Sequence, residues 1–390
     1  EPVSQECLLF GPIENTPQYL YNSIDEQVVL QSALKTRGSA GPSGMDAELY
    51  RRILCSKSFN TEGKNLRVEI AKLTINLLTM SYHPSLLEPY VACRLIPLDK
   101  NPGVRPIGVG EVLRRIIGKV INTHAREEIR EAAGPLQACS SQGAGAEAAI
   151  HAMRQSFDLA STDAVLLIDA SNAFNRMNRA VALHNITILC PLISLYLVNT
   201  YRHPTRLFIS GGGEILSMEG TTQGDPLAMS WYSINTVMII NYLRAQMPSV
   251  TQAWLADDAA SGAKIIQLHK WYLLLIEEGK KYGYFVNCPK SWLIVKTSQL
   301  AEEAADIFHD SVNITADGKR HLGGVIGSES YKKEYCDEIV QNWVDQIEVL
   351  TEIAQAQPQA AYSAYTKGFR SKFTYFLRTI DHFEEYLAPV

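Results

Sequence analysis

Two adjacent aspartates, Asp257 and Asp258, are candidate metal ligands in this chain. An apolar run, Ala253 to Ala256, ends abruptly at them, and a second short apolar run follows. The pattern predicts a strand, a tight turn that carries the acids, and a returning strand. Adjacent like charges on a half-buried hairpin repel, so a divalent cation such as Mg²⁺, which prefers oxygen ligands, is the obvious compensation. An isolated pair of aspartates also suits an ordinary solvated turn.

A third acid, Asp169, ends the continuous apolar run Ala164–Ile168. Such a run predicts a fully buried central strand, and a carboxylate at its end is costly unless it has a partner. The elements predicted around the three acids follow the order strand, helix, strand, strand, helix, strand, which is the split βαβ arrangement. Its middle strands lie side by side, so Asp169 and Asp257 can meet. Carboxylates that converge on a rigid sheet are what two-metal phosphoryl transfer requires.

Two basic segments precede the first of these strands. Residues 92–107 predict a hairpin with an Asn-Pro-Gly turn, and Lys100 and Arg105 lie near its tip, where they suit phosphate contact or simple solvation. Residues 112–130 predict a helix that forms the most basic stretch of the chain. Its Arg114, Arg115 and Lys119 suit either a solvated face or the path of a nucleic-acid template.

A polar loop and a lysine lie near the predicted acidic strands in sequence. Gly-Thr-Thr-Gln-Gly-Asp-Pro, residues 220–226, opens a predicted helix from Leu227 to about Met247, and Pro226 suits its first turn. Lys290 precedes a predicted strand, where it is either a solvated cation or a functional one.

In this order, the segments resemble the reverse transcriptases, especially those of retrotransposons and related retroelements. The resemblance covers the chain from about residue 39 to the C-terminal helices. Residues 165–174 resemble the first palm motif, with the metal-binding aspartate at Asp169 and Phe174 under the sugar. Gln223-Gly224-Asp225-Pro226 resembles the Gln-Gly-x-Pro motif that contacts the template and the incoming nucleotide. Ala256-Asp257-Asp258 resembles the metal-binding signature.

Three further segments extend the resemblance. Residues 283–290 resemble the motif whose lysine, here Lys290, is a proposed proton donor to pyrophosphate. His321-Leu322-Gly323 resembles the primer-grip hairpin, and residues 94–107 resemble the fingers hairpin whose lysine and arginine hold the triphosphate. One position departs from the family, since Leu255 stands where an aromatic residue is usual.

The resemblance implies two-metal-ion nucleotidyl transfer, with two Mg²⁺ ions, or Mn²⁺, held by Asp169, Asp257 and Asp258. Lys290 joins these three as a catalytic residue. The residues implied in substrate binding are Lys100, Arg105, Ala170, Phe174, Gln223 and Gly224. Those implied in nucleic-acid binding are Arg114, Arg115, Lys119, Leu322 and Gly323.

The implied fold is α+β: a right-hand polymerase with fingers, a ferredoxin-like (split βαβ) palm and a helical thumb. Residues 1–160 would form the fingers and an N-terminal extension, residues 161–330 the palm with a fingers insertion near 178–218, and residues 331–390 the thumb. The implied partners are an RNA template, a DNA or RNA primer and dNTPs.

Composition limits the setting. A chain of 390 residues with 46% hydrophobic and 20% charged residues is ordinary for a globular protein of two or three subdomains. No run is long enough to span a bilayer, so we expect no membrane partner. Seven scattered cysteines without zinc spacing favour a reducing compartment, cytoplasmic or nuclear. The chain begins at Glu1 and has its first methionine at Met45, so we expect it to be a segment of a longer protein or a processed product.

Three functions compete on the sequence alone. The first is an active RNA-directed DNA polymerase. The second is an RNA-dependent RNA polymerase, a class that usually carries a second acid where Phe174 stands, to accept the ribose 2′-hydroxyl. The third is a catalytically inactive palm used as an RNA-binding scaffold, against which the retained acids, Gln223 and Lys290 argue. The net charge of −5 means that any affinity for RNA must come from local basic patches.

Overall fold

A computed structural model describes residues 16–99, 104–140, 143–222 and 224–389 of the chain. These residues form an α+β fold, as predicted. No helix within the described ranges is long and apolar enough to cross a membrane. The helices are α1 (Glu26–Lys35), α2 (Ala47–Cys55), α3 (Asn60–Thr79), α4 (Pro84–Val91), α5 (Val112–His124), α6 (Arg126–Ala133), α7 (Gly145–Asp158), α8 (Ala173–Arg176), α9 (Arg179–Leu189), α10 (Pro191–Tyr201), α11 (Ala228–Gln246), α12 (Ile265–Tyr282), α13 (Ser298–Phe308), α14 (Glu329–Ala356), α15 (Pro358–Ala364) and α16 (Arg370–Thr379). The strands are β1 (Cys93–Asp99), β2 (Val104–Gly110), β3 (Ala164–Ile168), β4 (Thr205–Ile209), β5 (Gly213–Ser217), β6 (Thr251–Leu255), β7 (Asp258–Ala263), β8 (Trp292–Val295), β9 (Asn313–Thr315), β10 (Gly318–His321) and β11 (Gly324–Gly327).

The described residues divide into two compact units, each built from separate stretches of the chain. Of the described residues, the first unit takes those within 16–140, 171–242 and 276–285, and the second those within 143–170, 243–275 and 286–389. The three predicted segments follow the chain and are finer than these units, so they stay a prediction.

The first unit contains a four-stranded sheet in the order β2-β1-β4-β5. Strands β1 and β2 pair antiparallel, with Cys93 opposite Gly110, which confirms the hairpin predicted at residues 92–107. Two strand-like runs around Gly211-Gly212-Gly213 predict another hairpin. Strands β4 and β5 form it, and β4 runs parallel to β1.

The second unit contains a five-stranded sheet in the order β6-β7-β3-β8-β9. Strand β3 lies in the middle, antiparallel to β7 on one side and β8 on the other. All five of its residues are buried, which confirms the prediction of a buried central strand. One face packs in an apolar cluster with Met153 and Phe157 of α7. This sheet carries the predicted acids.

Some predicted element bounds are wrong. The helix predicted over residues 112–130 is interrupted at Ala125 (φ −92°, ψ 20°), which ends α5 and precedes α6. The pattern Ser23-x-x-Glu26 predicts a capping box at the start of α1. The N-cap is Asp25 in its place, whose carboxylate accepts hydrogen bonds from the backbone N–H groups of the first turn of α1. Ser23 is instead 2.8 Å from the ring of His124.

The C-terminal region is helical, as predicted, and has an aromatic core. Trp343 of α14 makes edge-on contacts with Phe369, Phe373, Phe376 and Phe383. A π-helical turn, Tyr365–Phe369, joins α15 to α16. Such turns are rare and often occur at functional positions.

Candidate active site

The acidic hairpin is a two-residue turn between β6 and β7. Leu255 pairs with Asp258, so Ala256 and Asp257 form the turn and Asp258 is the first residue of β7. Ala256 has a positive φ of 56°, a left-handed conformation that is uncommon for alanine. Strained backbone of this kind is found more often at functional sites, so the turn is a candidate on geometry as well as on sequence.

Asp169 lies at the same end of the sheet as the two hairpin acids. The register of β3 and β7 pairs Ile168 with Ala259. Since the strands are antiparallel, the next residue of β3, Asp169, lies beside the preceding residue of β7, Asp258. Neighbouring strands therefore gather three acids that are separated by up to 89 positions in the chain, as 258 − 169 = 89.

The surroundings of Asp258 oppose its negative charge. Burial raises the pKa of Asp258 to about 6, and the charges of Asp257 and then Asp169 add to the rise. Burial removes water that would stabilise the carboxylate, and the nearby acids repel it. A divalent cation at this end of the sheet would reverse both effects, which is the electrostatic behaviour expected of metal ligands.

Asp169 is held by the segment that leads to β8. The side-chain amide of Asn287 donates a hydrogen bond to Asp169 Oδ2 at 2.8 Å, and the backbone N–H of Asn287 donates to the Asp169 carbonyl at 2.8 Å. The Asp169 N–H donates to Ser291 Oγ at 3.3 Å. Ala170 forms an isolated β-bridge with Val286. Sequence reasoning missed Asn287, although it lies inside the segment 283–290 singled out for Lys290.

These acids suit magnesium only together with a substrate. Within the described ranges, no three His, Cys, Asp or Glu side chains are grouped so as to hold a metal ion by themselves. Mg²⁺ is usually held by one or two carboxylates plus substrate phosphates, and it keeps several waters. Oxygen ligands of this kind also suit Mn²⁺. The chemistry of the donors therefore fits a cation shared with a phosphate-bearing substrate and does not fit a closed protein cage.

Lys290 ends a short 3₁₀ turn, Cys288–Lys290, three residues after Asn287. Its side chain is exposed, and its backbone N–H donates to the Asn287 carbonyl at 3.0 Å. The position leaves the ammonium available to a ligand, and its role as a proton donor stays a prediction.

Phe174 lies in the first unit, on the short helix α8, where it is partly buried and stacks on Tyr232 with ring centroids 4.5 Å apart. The predicted nucleotide loop, residues 220–226, packs directly against it. Thr221 donates its N–H to the Phe174 carbonyl at 2.7 Å. Gly220 has φ 67°, and a side chain there would collide with the same carbonyl. The structure thus brings Phe174 and the described part of this loop together.

Of four predicted substrate contacts, the structure describes two. Gly224 has φ 104°, a conformation that favours glycine, and Gln223 lies outside the described residues. Lys100 also lies outside them. Arg105 is on β2, opposite Leu98 in the hairpin. The roles of these four residues stay predictions.

Arg114 is not available to a nucleic acid, which corrects the prediction for this residue. Its side chain is buried and forms an ion pair with the equally buried Asp225, with Nη2 2.7 Å from Oδ2. A second nitrogen, Nη1, donates to the Val91 carbonyl at 3.1 Å. The signal that could have indicated this is weak, because the partner lies 111 positions away.

Arg115 and Lys119 hold the connection between α1 and α2. Arg115 donates to the carbonyls of Arg37, at 2.8 Å, and Ser39. Lys119 donates to the carbonyl of Lys35, the last residue of α1, at 2.9 Å. Cations at a helix C-terminus stabilise its unpaired carbonyls, so both residues have a structural task.

Leu322 and Gly323 form the turn between β10 and β11, with φ values of 51° and 90°. Tyr375 donates its hydroxyl to the Leu322 carbonyl at 2.5 Å, and Tyr335 donates to the Gly323 carbonyl at 3.2 Å. Both tyrosines belong to the C-terminal helices. The turn is thus fixed by its own unit, and its contact with a primer stays a prediction.

Comparison with known proteins adds no relative. No family model matches the chain, and a search of curated proteins found no match.

Proposed function

We propose that this protein is an RNA-directed DNA polymerase that extends a primer with dNTPs by two-metal-ion nucleotidyl transfer. The observation that carries the proposal is the convergence of Asp169, Asp257 and Asp258 at one end of the second unit's sheet, where the pKa of Asp258 is raised to about 6. Carboxylates that repel one another on a rigid scaffold are poised for divalent cations and a phosphate substrate.

The order of elements supports a polymerase palm. Strand β3 is followed by a segment ending in α11, then by β6 and β7, then by α12 and β8. This is the chain order of the split βαβ motif, with the acids at the end of its first strand and at the hairpin between its second and third. In this interpretation the β1–β2 hairpin belongs to the fingers and the helices from α14 onward to the thumb.

Asp169, Asp257 and Asp258 would hold two cations, Mg²⁺ or Mn²⁺, which neutralise triphosphate charge and lower the pKa of the attacking hydroxyl. Asn287 keeps the Asp169 carboxylate oriented, as a supporting residue does for a metal ligand. Lys290 would give a proton to departing pyrophosphate. Lys100 and Arg105 would bind the triphosphate, while Ala170, Gln223 and Gly224 would contact the nucleotide and Phe174 its sugar.

Primer extension on an RNA template, with dNTPs compared with NTPs, tests the proposal. We expect DNA synthesis in Mg²⁺ that is abolished in Asp257→Asn, since the amide keeps the shape and removes the charge. Asp306→Asn, an exposed acid on α13, is the matched control and should extend normally.

Other outcomes would assign the protein elsewhere. Preferential use of NTPs would identify an RNA-dependent RNA polymerase. RNA binding without any extension would identify an inactive scaffold. Extension by Asp257→Asn at the wild-type rate would remove the acids from the chemistry.

A further inference from the structure

Two buried arginines lie close to the ring of one buried tyrosine in the first unit. Arg114 and Arg179 are each 2% exposed and Tyr201 is 1% exposed. The guanidinium carbons lie 5.1 Å (Arg114) and 5.5 Å (Arg179) from the centre of the Tyr201 ring. Arginine is almost never buried to this degree without dedicated partners. The partners here are almost all in one place, the segment that leads into and through residues 220–226.

Arg179 binds the start of that segment. Its nitrogens donate to the carbonyls of Ser217 at 2.9 Å, Glu219 at 2.9 Å and Gly220 at 3.0–3.1 Å. Burial lowers the pKa of Arg179 to about 10, so the group stays charged at neutral pH. One rigid guanidinium therefore binds three carbonyls within four residues of backbone, which a flexible lysine could not do.

Arg114 and Tyr201 bind the end of the segment. Asp225 Oδ2 accepts hydrogen bonds from Arg114 Nη2 at 2.7 Å and from the Tyr201 hydroxyl at 2.8 Å. The other oxygen of Asp225 accepts from the Leu227 N–H at 2.9 Å, at the entrance to α11. Burial, and then the Asp225 charge, raises the pKa of Tyr201, so its hydroxyl stays protonated.

The Tyr201 hydroxyl also reaches the middle of the loop. It accepts a hydrogen bond from the Thr222 N–H at 3.3 Å while it donates to Asp225. The Tyr201 hydroxyl thus links the backbone of Thr222, which precedes the predicted nucleotide contact Gly224, to the carboxylate of Asp225, which follows it.

A buried ion pair is weak support for stability, because removing both charges from water costs as much as their attraction returns. Its value lies in defining one geometry. Here the two buried arginines bind carbonyls and a carboxylate of the loop. A loop that is already fixed loses less conformational entropy when a ligand binds. By contrast, a side chain added at Gly211 or Gly212, in the β4–β5 turn of the same unit, would meet no atom within 4 Å.

We propose that Arg114, Arg179, Tyr201 and Asp225 form a clamp that holds residues 217–222 and 224–226 in the conformation that receives the nucleotide. The four residues are positioning residues, since they act through Gly224 and the loop backbone. This inference rests on the proposed function and adds how its nucleotide contact is made rigid.

Tyr201→Phe tests the clamp with the least disturbance. The ring stays beside the two arginines, and Asp225 keeps Arg114 as its partner, so no buried charge is left unpaired. We expect amide hydrogen exchange to accelerate in peptides covering residues 217–227. We also expect the KM for dNTPs to rise about tenfold, the scale of one hydrogen bond to a charged group, while kcat changes much less.

Tyr21→Phe is the matched control. Tyr21 is also fully buried in the first unit, and its hydroxyl donates to the Leu192 carbonyl at 2.8 Å, away from the loop. Tyr21→Phe should lose a similar amount of stability, but amide exchange in residues 217–227 should not accelerate and the KM for dNTPs should not change. Arg179→Lys, which keeps the charge and loses the fork, should reproduce the effect of Tyr201→Phe.

The outcomes separate the clamp from the enzyme. Loop exchange that stays at the wild-type rate in Tyr201→Phe, or that rises equally in Tyr21→Phe, overturns the clamp. Faster loop exchange with an unchanged KM overturns its link to the nucleotide. If the wild-type protein extends no primer, the proposed function fails, and hydrogen exchange alone still decides whether the clamp exists.

Discussion

Asp258 combines burial with two neighbouring like charges, so its environment favours the protonated acid. Its pKa is raised to about 6 from an ordinary value of 3.8. A carboxyl group whose pKa is raised by folding destabilises the folded state above that pKa. The penalty is absent below about pH 4 and complete above about pH 6, because only the unfolded chain ionises easily between these values.

Asp258→Asn should therefore stabilise the metal-free protein. In EDTA at pH 7.5 we expect its Tm to rise by at least about 2 °C, and the gain should vanish near pH 4. Added Mg²⁺ with dNTP should stabilise the wild type more than the variant, because a ligand that binds only the folded state raises its stability. A lower Tm for the variant in EDTA would show that the site is already compensated within the protein.

The proposed function assigns the choice of sugar to Phe174. This residue is only partly buried, stacks on Tyr232 and has its carbonyl bound by Thr221 of the nucleotide loop. A rigid ring against the sugar leaves no room for a 2′-hydroxyl and offers it no hydrogen bond.

Phe174→Ala should reduce the preference for dNTPs over NTPs by at least about tenfold. The loss of stability should fall below the roughly 3–5 kcal/mol of a fully buried phenylalanine. Phe208→Ala, a half-exposed phenylalanine on β4, is the control and should leave sugar preference unchanged. A full core-sized loss of stability with unchanged sugar preference would make Phe174 a packing residue.

At the scale of elements, the β10–β11 hairpin contains a buried histidine. His321, the last residue of β10, is 7% exposed, and its Nε2 has no hydrogen-bond partner. Burial lowers the pKa of His321 to about 4. Between about pH 6.5 and pH 4, His321 is therefore neutral in the folded state but protonated in the unfolded chain.

This difference makes the second unit sensitive to acid. His321 should not lower the free energy of unfolding above about pH 6.5. Toward pH 4 that free energy should fall with a slope that approaches about 1.4 kcal/mol per pH unit. His321→Leu should flatten that slope when urea unfolding is measured at a series of pH values. His184→Ala, at an exposed position on α9, should leave the slope unchanged. An unchanged slope in His321→Leu would mean that another group carries the acid sensitivity.

Local signals explain which elements could be predicted. Residues 265–282 predict a helix, and α12 has these bounds, Ile265–Tyr282. The β6–β7 hairpin lies where two apolar runs flank a turn. These patterns need only neighbouring residues. The interruption at Ala125 could not be predicted, because no proline or glycine marks it.

The candidate site could likewise be predicted only where the signal is local in the sequence. Acids at strand ends are visible in the sequence, because a carboxylate that ends an apolar run is unusual. The burial of Arg114 is not visible, because it depends on Asp225 and Tyr201, which only the fold brings near. Asn287 lacks a charge or a spacing that would distinguish it from other amides.

At the scale of the whole molecule, charge is distributed unevenly. The net charge is −5, yet residues 358–380 contain no acid and four bases, Lys367, Arg370, Lys372 and Arg378. The same region exposes Tyr362, at 71%, and Tyr365, at 41%. Exposed tyrosines beside cations suit nucleic acid, since bases stack on the rings and cations contact phosphates.

The salt dependence of RNA binding should locate the surface that carries it. Lys367→Ala with Arg370→Ala removes two exposed cations and should reduce the slope of log affinity against log salt by about 1.4 for single-stranded RNA, from about 0.7 per phosphate contact. Arg115→Ala with Lys119→Ala should change that slope little, because both side chains are bound to backbone carbonyls, and should lower Tm instead. Lys57→Ala with Lys64→Ala, two exposed lysines elsewhere, controls for net charge. A slope that falls only in the Arg115 and Lys119 variant would return the template path to α5, because counterions are released only where phosphates are contacted.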